Sequence, residues 1–454
     1  MPETKLRRRP GYSLFPRTRL NPPSRELVRD TNKLRDEDRA VHDWYRFVLS
    51  FPPHLVRTYL EKFGAGGKCT VLDPFCGTGT TLVECKKVGI RSAGIEANPI
   101  AAFASNVKVD WGVNPQKLLE TASKIAEAVG NKLRAQGIGD GTPPLFRPAR
   151  KANAELETLP IPAMSLLLKD SVSPLPLHKT ITLLREIERH ENDRLRAYFR
   201  LALASALVTQ IGNLHFGPEV GISAPKADAP VVDPWLQNVQ RMADDISQLA
   251  RRKHAPATVY QADARNPATV IPPESIDVVI TSPPYPNEKD YSRITRLESV
   301  ILGFVKDKSD LRSLKQKLIR SNTRGVYKYD GEDNLVAENA EIQRIAKAIE
   351  ARRLELNKDS GFERLYARVT KLYFGGMYQH LSALRGFLRP GARLAYVVGD
   401  QASYLRVMIR TGQILSELAE SLGYQILGID LFRTRLATAT KEQLREEVLL
   451  LRWP

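Results

Sequence analysis

The amino-acid sequence predicts an α/β protein with a mostly parallel sheet, an antiparallel strand pair at its end and large helical insertions. A short apolar strand runs directly into a glycine turn and a helix at 71–88. Further strand patterns follow helical stretches, at 91–95, 257–261, 276–281 and 393–398. Two more strand patterns close the chain, at 424–433 and 446–451. Strands that alternate with helices favour parallel pairing, because each helix returns the chain to the start of the next strand.

The composition indicates a large protein with an anionic partner. With 454 residues, 42% of them hydrophobic, the chain can form one large domain with insertions, or two domains. It has 68 Lys and Arg residues against 51 Asp and Glu residues, a formal net charge of +17, which favours nucleic acid as a partner. A solvated basic surface would have the same composition, so the charge counts only together with motifs.

Neither a membrane segment nor a metal site is predicted. No apolar run reaches the roughly 18 residues that span a bilayer, and the N-terminus lacks the apolar core of a secretion signal, which favours a cytoplasmic protein. The three cysteines, Cys69, Cys76 and Cys85, lack the spacing of metal ligands. We interpret them as reduced core thiols.

Residues 1–40 predict a basic arm without a core of its own, because arginines alternate there with prolines. Such an arm could lie along a phosphate backbone or remain a solvated tail, and the sequence leaves both open. The arm is followed by the segment Phe51-Pro52-Pro53, whose two prolines predict the start of a helix.

The stretch from Val71 to Thr80 reads Val-Leu-Asp-Pro-Phe-Cys-Gly-Thr-Gly-Thr and predicts a cofactor site at the end of a buried strand. Gly77 and Gly79 allow a tight turn and a close approach of the backbone to a ligand. The helix that begins at Thr80 directs its free N–H groups toward that turn. Asp73 would repel a phosphate, and the third glycine of a dinucleotide motif is missing. A ligand with an ammonium group and a ribose therefore fits better.

The octet at 73–80 resembles the first motif of Rossmann-like methyltransferases, especially those that methylate exocyclic amino groups of nucleic-acid bases. The tetrapeptide Ser-Pro-Pro-Tyr at 282–285 resembles their second diagnostic motif and also follows a strand. The resemblance covers the sheet portions of the chain and not the insertions. It implies a Rossmann-like methyltransferase sheet, S-adenosylmethionine as the cofactor and duplex DNA as the partner.

The resemblance also implies which residues bind S-adenosylmethionine. Within the octet they are Asp73, Phe75, Gly77, Gly79 and Thr80. Outside the octet they are Phe51 at the methionine end, Glu96 at the ribose and Asp263 at the adenine amino group. Glu96 also ends its strand about twenty residues beyond the glycine turn, which is where a carboxylate binds a ribose diol.

Ser282, Pro283, Pro284 and Tyr285 form the predicted catalytic motif. An exocyclic amino group is a poor nucleophile, because its lone pair is conjugated with the ring. The Ser282 side-chain oxygen and a backbone carbonyl, that of Pro283, would accept the two amino hydrogens and favour a tetrahedral nitrogen. Consecutive prolines hold the backbone extended without competing N–H donors. Tyr285 would stack on a base flipped out of the duplex.

We divide the chain into a basic arm at 1–40, the first part of a catalytic domain at 41–112, a helical insertion at 113–256 and the second part of the catalytic domain at 257–454. The second part contains a further helical insertion at 286–358. Relatives with the cofactor motif first usually carry their DNA-recognition segment between the third strand and the catalytic motif. Here only residues 263–280 occupy that position. Recognition is therefore expected from 113–256, from 286–358, or from both, and the candidates for phosphate contact are Arg293, Arg296 and Arg324.

The leading hypothesis is a site-specific DNA methyltransferase acting on the 4-amino group of cytosine. Family members that modify cytosine mostly place Ser before Pro-Pro-Tyr, as here, whereas those that modify adenine mostly place Asp or Asn. Some members with Ser act on adenine, so the adenine 6-amino group remains an alternative. An RNA guanine-N2 methyltransferase and a non-catalytic nucleic-acid-binding protein are two further alternatives. The target sequence, the oligomeric state and a restriction endonuclease in the same restriction-modification system stay open.

Overall fold

The computed structural model describes residues 20–21, 34–45, 51–141, 155–216, 220–249, 254–287, 289–436 and 443–454. The strands in these residues are β1 Leu20–Asn21, β2 Thr70–Asp73, β3 Arg91–Ile95, β4 Leu214–Phe216, β5 Val220–Ile222, β6 Ala257–Tyr260, β7 Ile276–Thr281, β8 Leu388–Gly399, β9 Gln425–Leu436 and β10 Gln443–Arg452.

One eight-stranded sheet has the order β1-β9-β10-β8-β7-β2-β3-β6. Strands β8, β7, β2, β3 and β6 pair in parallel, and β10 is antiparallel to both of its neighbours, β8 and β9. The predicted fold class is confirmed: this is the mostly parallel sheet of a Rossmann-like methyltransferase, with an antiparallel strand pair at its end. Because the central strands are parallel, their carboxyl ends all reach the same edge of the sheet.

The α-helices are α1 Arg39–His42, α2 Pro53–Lys62, α3 Thr80–Lys87, α4 Pro99–Val109, α5 Pro115–Ala135, α6 Ile161–Met164, α7 Pro174–Glu188, α8 Asp193–Ala206, α9 Val232–Leu249, α10 Tyr291–Ile294, α11 Arg296–Ile301, α12 Lys308–Lys317, α13 Ala340–Glu355, α14 Tyr366–Leu384 and α15 Thr411–Ser421. A π-helical turn, Leu207–Ile211, extends α8. Short 3-10 helices lie at Asp36–Asp38, Pro267–Thr269, Thr323–Gly325, Glu332–Val336, Glu363–Leu365 and Arg385–Phe387. Helices α2, α4 and α5 begin at proline, as predicted for α2, because proline at the first helical position loses no helical hydrogen bond.

The helices of residues 113–256 pack against the side of the sheet that carries α3 and α4. Their apolar side chains share one core with those two helices, as Leu118 on α5 and Trp235 on α9 do with Leu82 and Ile100. The apolar stripe of α5 is buried along its length, as expected from its helical spacing. A second core, formed by apolar residues of α13, α14 and α15, packs against strands of the same sheet. The helical segment is thus joined to the sheet by a continuous apolar interior.

Two stretches differ from the expectation. The segment after Gly212, which lies in the predicted helical insertion 113–256, contains the antiparallel strand pair of β4 and β5. The basic helices expected up to Lys358 are interrupted between α12 and α13. The Asp330 carboxylate accepts hydrogen bonds there from the backbone N–H of Tyr327 and from Arg320, and such bonds compete with helical ones.

The predicted basic arm lies outside the described residues, except for its last residues and for β1. Strand β1 pairs in parallel with β9, opposite Ile429 and Asp430. Helices that are both long and apolar enough to cross a membrane do not occur in the described part of the chain.

Candidate active site

A cavity of about 370 Å³ opens at the edge of the sheet where the parallel strands end. Residues from both predicted motifs line it, among them Phe75, Gly77 and Thr80 from the first and Ser282 to Tyr285 from the second. The two motifs are about two hundred positions apart in sequence, and β2 and β7, which carry them, are direct neighbours in the sheet. The structure therefore brings the predicted cofactor turn and the predicted catalytic motif to one cavity.

The glycine turn requires glycine at both predicted positions. The φ angles of Gly77 and Gly79 are +51° and +87°, values that residues with a Cβ rarely adopt. A Cβ on Gly79 would also lie 2.4 Å from Oγ of Ser105. Gly79 itself does not line the cavity; it allows the chain to enter α3 at Thr80, whose side chain does.

The Asp73 carboxylate lies beneath the cavity, with no exposed surface. Its Oδ1 accepts hydrogen bonds from Oγ1 of Thr281 at 2.6 Å and from the N–H of Phe75 at 3.1 Å, and its Oδ2 accepts one from Oγ1 of Thr81 at 2.7 Å. Burial raises the pKa of Asp73 to about 6, and the three donors act against this rise. Asp73 thereby connects the end of β2 to the end of β7 and to the first turn of α3.

The Glu96 carboxylate lines the cavity at the end of β3. Its two oxygens accept hydrogen bonds from the backbone N–H groups of Gly77, at 2.8 Å, and of Asn98, at 2.7 Å. These bonds orient the side chain beside the glycine turn. Burial raises the pKa of Glu96 to about 7, so its charge changes near neutral pH.

The catalytic motif forms the wall of the cavity that continues β7. Oγ of Ser282 donates a hydrogen bond to the carbonyl oxygen of Val397, at 3.3 Å, which leaves its lone pairs available as acceptors. The Tyr285 ring lies close to Gly399, where a Cβ would come within 3.1 Å of the ring. Burial raises the pKa of the Tyr285 hydroxyl, which keeps it neutral. A flat neutral ring and a hydroxyl acceptor therefore stand beside each other.

Two further predicted cofactor residues, Phe51 and Asp263, also line the cavity. Phe51 packs against the core beneath α2. The Asp263 carboxylate forms an ion pair with Arg265, with 2.7 Å between Oδ2 and Nη2. The guanidinium of Arg265 also pairs with Glu332, so Asp263 is fixed from the side of the segment that follows α12.

The three arginines predicted to contact DNA do not line the cavity. Arg296 is partly buried and donates hydrogen bonds to the carbonyl oxygens of Ser292, at 3.0 Å, and of Leu166, at 3.4 Å. Arg324 is exposed, with its guanidinium 5.1 Å from the ring centre of Phe362. Arg293 is half-buried. Of the three, Arg324 has its side chain at the surface.

Several residues of the site were not predicted from the sequence. The signal that could have indicated Thr281 was its place at the end of β7, directly before Ser282. Arg433 and Glu446 line the cavity as cross-strand partners on β9 and β10, with bonds of 2.6 and 2.8 Å between guanidinium and carboxylate. Only the register of that strand pair could have indicated them.

The comparisons with known proteins agree with this site. Residues 25–104, which include the glycine turn, match a family model described as DNA methylase. The Type II methyltransferase M.BsoBI of Geobacillus stearothermophilus is 24% identical over 438 residues, covering 90% of this chain and 83% of the relative. M.AvaI of Nostoc is 23% identical over 408 residues, covering 86% and 80%. M.MjaII of Methanocaldococcus jannaschii is 34% identical over 85 residues, covering 18% and 16%.

The parallel sheet, the glycine turn and the Ser-Pro-Pro-Tyr wall of one cavity define a methyltransferase of the Rossmann-like class. With the matches, they make the chain similar to the DNA amino-methyltransferases, which modify N6 of adenine or N4 of cytosine.

The contacts of Asp73 predict a pH-dependent loss of stability in Thr281→Val. This substitution removes one of three donors to a buried charged carboxylate, which should cost about 1.5–3 kcal/mol of unfolding free energy. The donor stabilises the ionised form, so the loss should be largest at alkaline pH and should shrink as the pH falls through about 6. Urea unfolding at pH 8.5 and pH 5 measures both values.

Thr269→Val is the matched control, because the exposed Thr269 hydroxyl donates only to the backbone carbonyl of Asn266. It should change the unfolding free energy by less than about 0.5 kcal/mol at either pH. An equal loss in Thr281→Val at both values of pH would contradict the assigned contact with a carboxylate.

Proposed function

We propose that this protein transfers a methyl group from S-adenosylmethionine to the 4-amino group of cytosine in duplex DNA, with the target base flipped into the cavity. One observation carries this proposal: the glycine turn with Glu96 and the motif Ser282 to Tyr285 line the same cavity. A ligand bound at the glycine turn and a ligand bound at the catalytic motif would therefore meet inside this cavity. The Type II methyltransferase relatives support DNA as the substrate and a place in a restriction-modification system.

The residues of the cofactor half fit S-adenosylmethionine. The cavity volume lies in the range of small-molecule sites, and Glu96 stands where a carboxylate would accept hydrogen bonds from ribose hydroxyls. Phe51 and Phe75 offer apolar contacts, and Asp263 would accept from the adenine amino group. The charge of the carboxylates also suits a cation. When bound, S-adenosylmethionine supplies an electrophilic methyl group on a positively charged sulfur.

The catalytic half would prepare the amino group of the base. With its own hydrogen directed at Val397, the Ser282 oxygen can accept one amino hydrogen, and the Pro283 carbonyl can accept the other. Two acceptors at fixed positions draw the nitrogen lone pair out of conjugation with the ring. The Tyr285 ring would hold the base by stacking. Each group acts on the base and leaves the cofactor half unchanged.

The identity of the base rests on Ser282. Among the amino-methyltransferases that this chain resembles, Ser before Pro-Pro-Tyr is typical of those that modify cytosine. The Arg433–Glu446 pair lines the same cavity as Tyr285. Arg433 also keeps Nη1 without a partner among the described residues, and this donor suits the ring acceptors of cytosine.

Methylated duplex DNA should contain 4-methylcytosine as its new nucleoside. Mass spectrometry of nucleosides from DNA incubated with the protein and labelled S-adenosylmethionine measures this directly. If 6-methyladenine is the only product, the cytosine assignment is wrong and the methyltransferase assignment stands. Transfer to RNA with none to duplex DNA would refute the proposed substrate.

Binding of S-adenosylmethionine should strengthen as the pH rises through about 7. The Glu96 carboxylate must be ionised to accept from both ribose hydroxyls, and its pKa in the free protein is about 7. One group titrating there predicts a dissociation constant about tenfold larger at pH 6 than at pH 8. Calorimetry across this range measures it.

The control for this experiment is a pair of variants at the cofactor half. Glu96→Gln should bind more weakly and lose most of the pH dependence, whereas Asp263→Asn should retain it. Unchanged affinity in Glu96→Gln would remove Glu96 from the proposed cofactor site.

Ser282→Ala should slow methyl transfer on the order of 10²–10³-fold, because it removes an acceptor that acts on the reacting nitrogen. The dissociation constant of S-adenosylmethionine should stay within about twofold, since Ser282 contacts the base and not the cofactor. Single-turnover transfer to duplex DNA separates the two effects. Ser247→Ala, on the exposed face of α9, is the control and should leave the rate unchanged. A normal rate in Ser282→Ala would exclude the proposed role.

A further inference from the structure

The segment 302–330, which includes α12, concentrates positive charge beside the cavity. It contains eight Lys and Arg residues against three Asp residues, a net charge of +5 in a chain whose total is +17. All three aspartates have partners: Asp307 and Asp310 accept from backbone N–H groups near the start of α12, and Asp330 pairs with Arg320. The positive charge of this segment therefore remains in its other lysines and arginines.

Six cations of this region are exposed and have no ionic partner among the described residues, Lys306 and Lys308 near the start of α12 and four further along. Within the described residues, the side-chain nitrogens of Arg312, Lys317, Arg324 and Lys328 form neither a hydrogen bond nor an ion pair. In the helical segment 113–256 a larger share of the cations is paired with carboxylates, as in Lys132–Glu186, Arg185–Glu157, Arg189–Glu186, Arg194–Asp110 and Arg200–Glu188, although Lys117, Lys124 and Lys169 are exposed without such a partner among the described residues. Unpaired cations are available to an external anion, whereas paired ones are already neutralised.

Exposed aromatic rings lie next to these cations. The ring of Tyr329 is 86% exposed and has the Lys328 amine 5.6 Å from its centre. Phe362 is 50% exposed and lies under the guanidinium of Arg324. Large exposed rings among cations suit a partner that offers both phosphates and flat bases or sugars.

The loop that carries these groups is held in place before any partner binds. Asp330 accepts hydrogen bonds from both Arg320 and the backbone of Tyr327, and Arg368 donates to its carbonyl oxygen at 2.9 Å. The Tyr404 hydroxyl donates to the carbonyl oxygen of Ser321 at 2.8 Å. A preorganised loop loses little conformational entropy on binding.

The same segment reaches into the cavity. Lys317, at the end of α12, lines it together with Ile319 and Asn322. Arg312 lies five residues earlier on the helix, about 7.5 Å along its axis. The amine of Lys315 donates to the carbonyl oxygen of Arg324 at 3.1 Å, so the loop lies against α12. By contrast, no described residue between 113 and 256 lines the cavity.

We propose that duplex DNA lies on this surface, the basic ridge formed by Arg312, Lys317, Arg324, Lys328, Tyr329 and Phe362, while the target base occupies the cavity. This inference rests on the proposed function and assigns DNA contact to the segment after the catalytic motif. The cations contact phosphates on either side of the flipped nucleotide, and the two rings contact its sugars or bases. The ridge fixes the register of the duplex relative to the cavity.

The test compares the salt dependence of DNA binding in double variants of the full chain. A duplex that the wild-type protein methylates is titrated between about 50 and 200 mM salt, the range in which counterion release is measurable. In Arg312→Ala/Arg324→Ala, the slope of log affinity against log salt should become less steep by about two, one for each lost phosphate contact. Arg312→Lys/Arg324→Lys should keep the wild-type slope, because the charges remain.

The matched control is Arg185→Ala/Arg189→Ala at the C-terminal end of α7, which removes the same charge from the helical segment. It should keep the wild-type slope. Tyr329→Ala should lower the affinity about tenfold at an unchanged slope, because the ring carries no charge. Calorimetry with S-adenosylmethionine, which should show unchanged binding in every variant, reports whether the cavity is intact.

An unchanged slope in the ridge variant, with wild-type methylation of DNA intact, would overturn the ridge and leave the proposed function standing. An equal loss of slope in both alanine double variants would also overturn it, since general charge would then explain the effect. A loss of slope confined to the Arg185→Ala/Arg189→Ala variant would place the DNA on the helical segment 113–256 instead. If the wild-type protein neither binds nor methylates duplex DNA, the proposed function fails as well.

Discussion

The buried carboxylate of Asp73 is the constraint on which the rest of the site depends. A charged group without contact to water is tolerated only when hydrogen-bond donors surround it, and here Thr81 and Thr281 are two of its three donors. One belongs to the helix after the glycine turn, and the other directly precedes Ser282. The turn and the catalytic motif therefore hold each other at a fixed distance. The Asp73 carboxylate thus maintains the geometry of the cavity, although Asp73 does not line the cavity itself.

The cavity and the surface beside it differ in charge. Inside the cavity are carboxylates, including Glu96, whose pKa is raised by burial and which a cationic ligand would stabilise in the ionised form. Outside it, Arg312 and Arg324 are exposed and without ionic partners among the described residues. The carboxylates of the cavity suit the proposed sulfonium cofactor, and the basic surface outside it suits the proposed polyanion.

The two long segments that interrupt the sheet differ in character. The helices of 113–256 share a continuous apolar core with α3 and α4, and several of their surface cations are paired with carboxylates. The segment after the catalytic motif contributes Lys289, Tyr291 and Asn322 to the cavity. Packing thus explains the first segment as part of the framework, while the second adjoins the site where chemistry is proposed. The division of the chain into catalytic parts and insertions remains a proposal.

The sequence by itself determined seven strands of the large sheet, the glycine turn and the catalytic motif, because these depend on local patterns of apolar residues, glycine and proline. It also indicated the antiparallel end of the sheet and the cavity residues Glu96 and Asp263, since parallel strands end at one edge. Only the tertiary structure decided that Asp73 accepts a hydrogen bond from Thr281, that Arg433 pairs with Glu446 and that Lys317 reaches the cavity. Such contacts join side chains from separate strands or helices. Their geometry follows from strand register and packing, which no local pattern encodes.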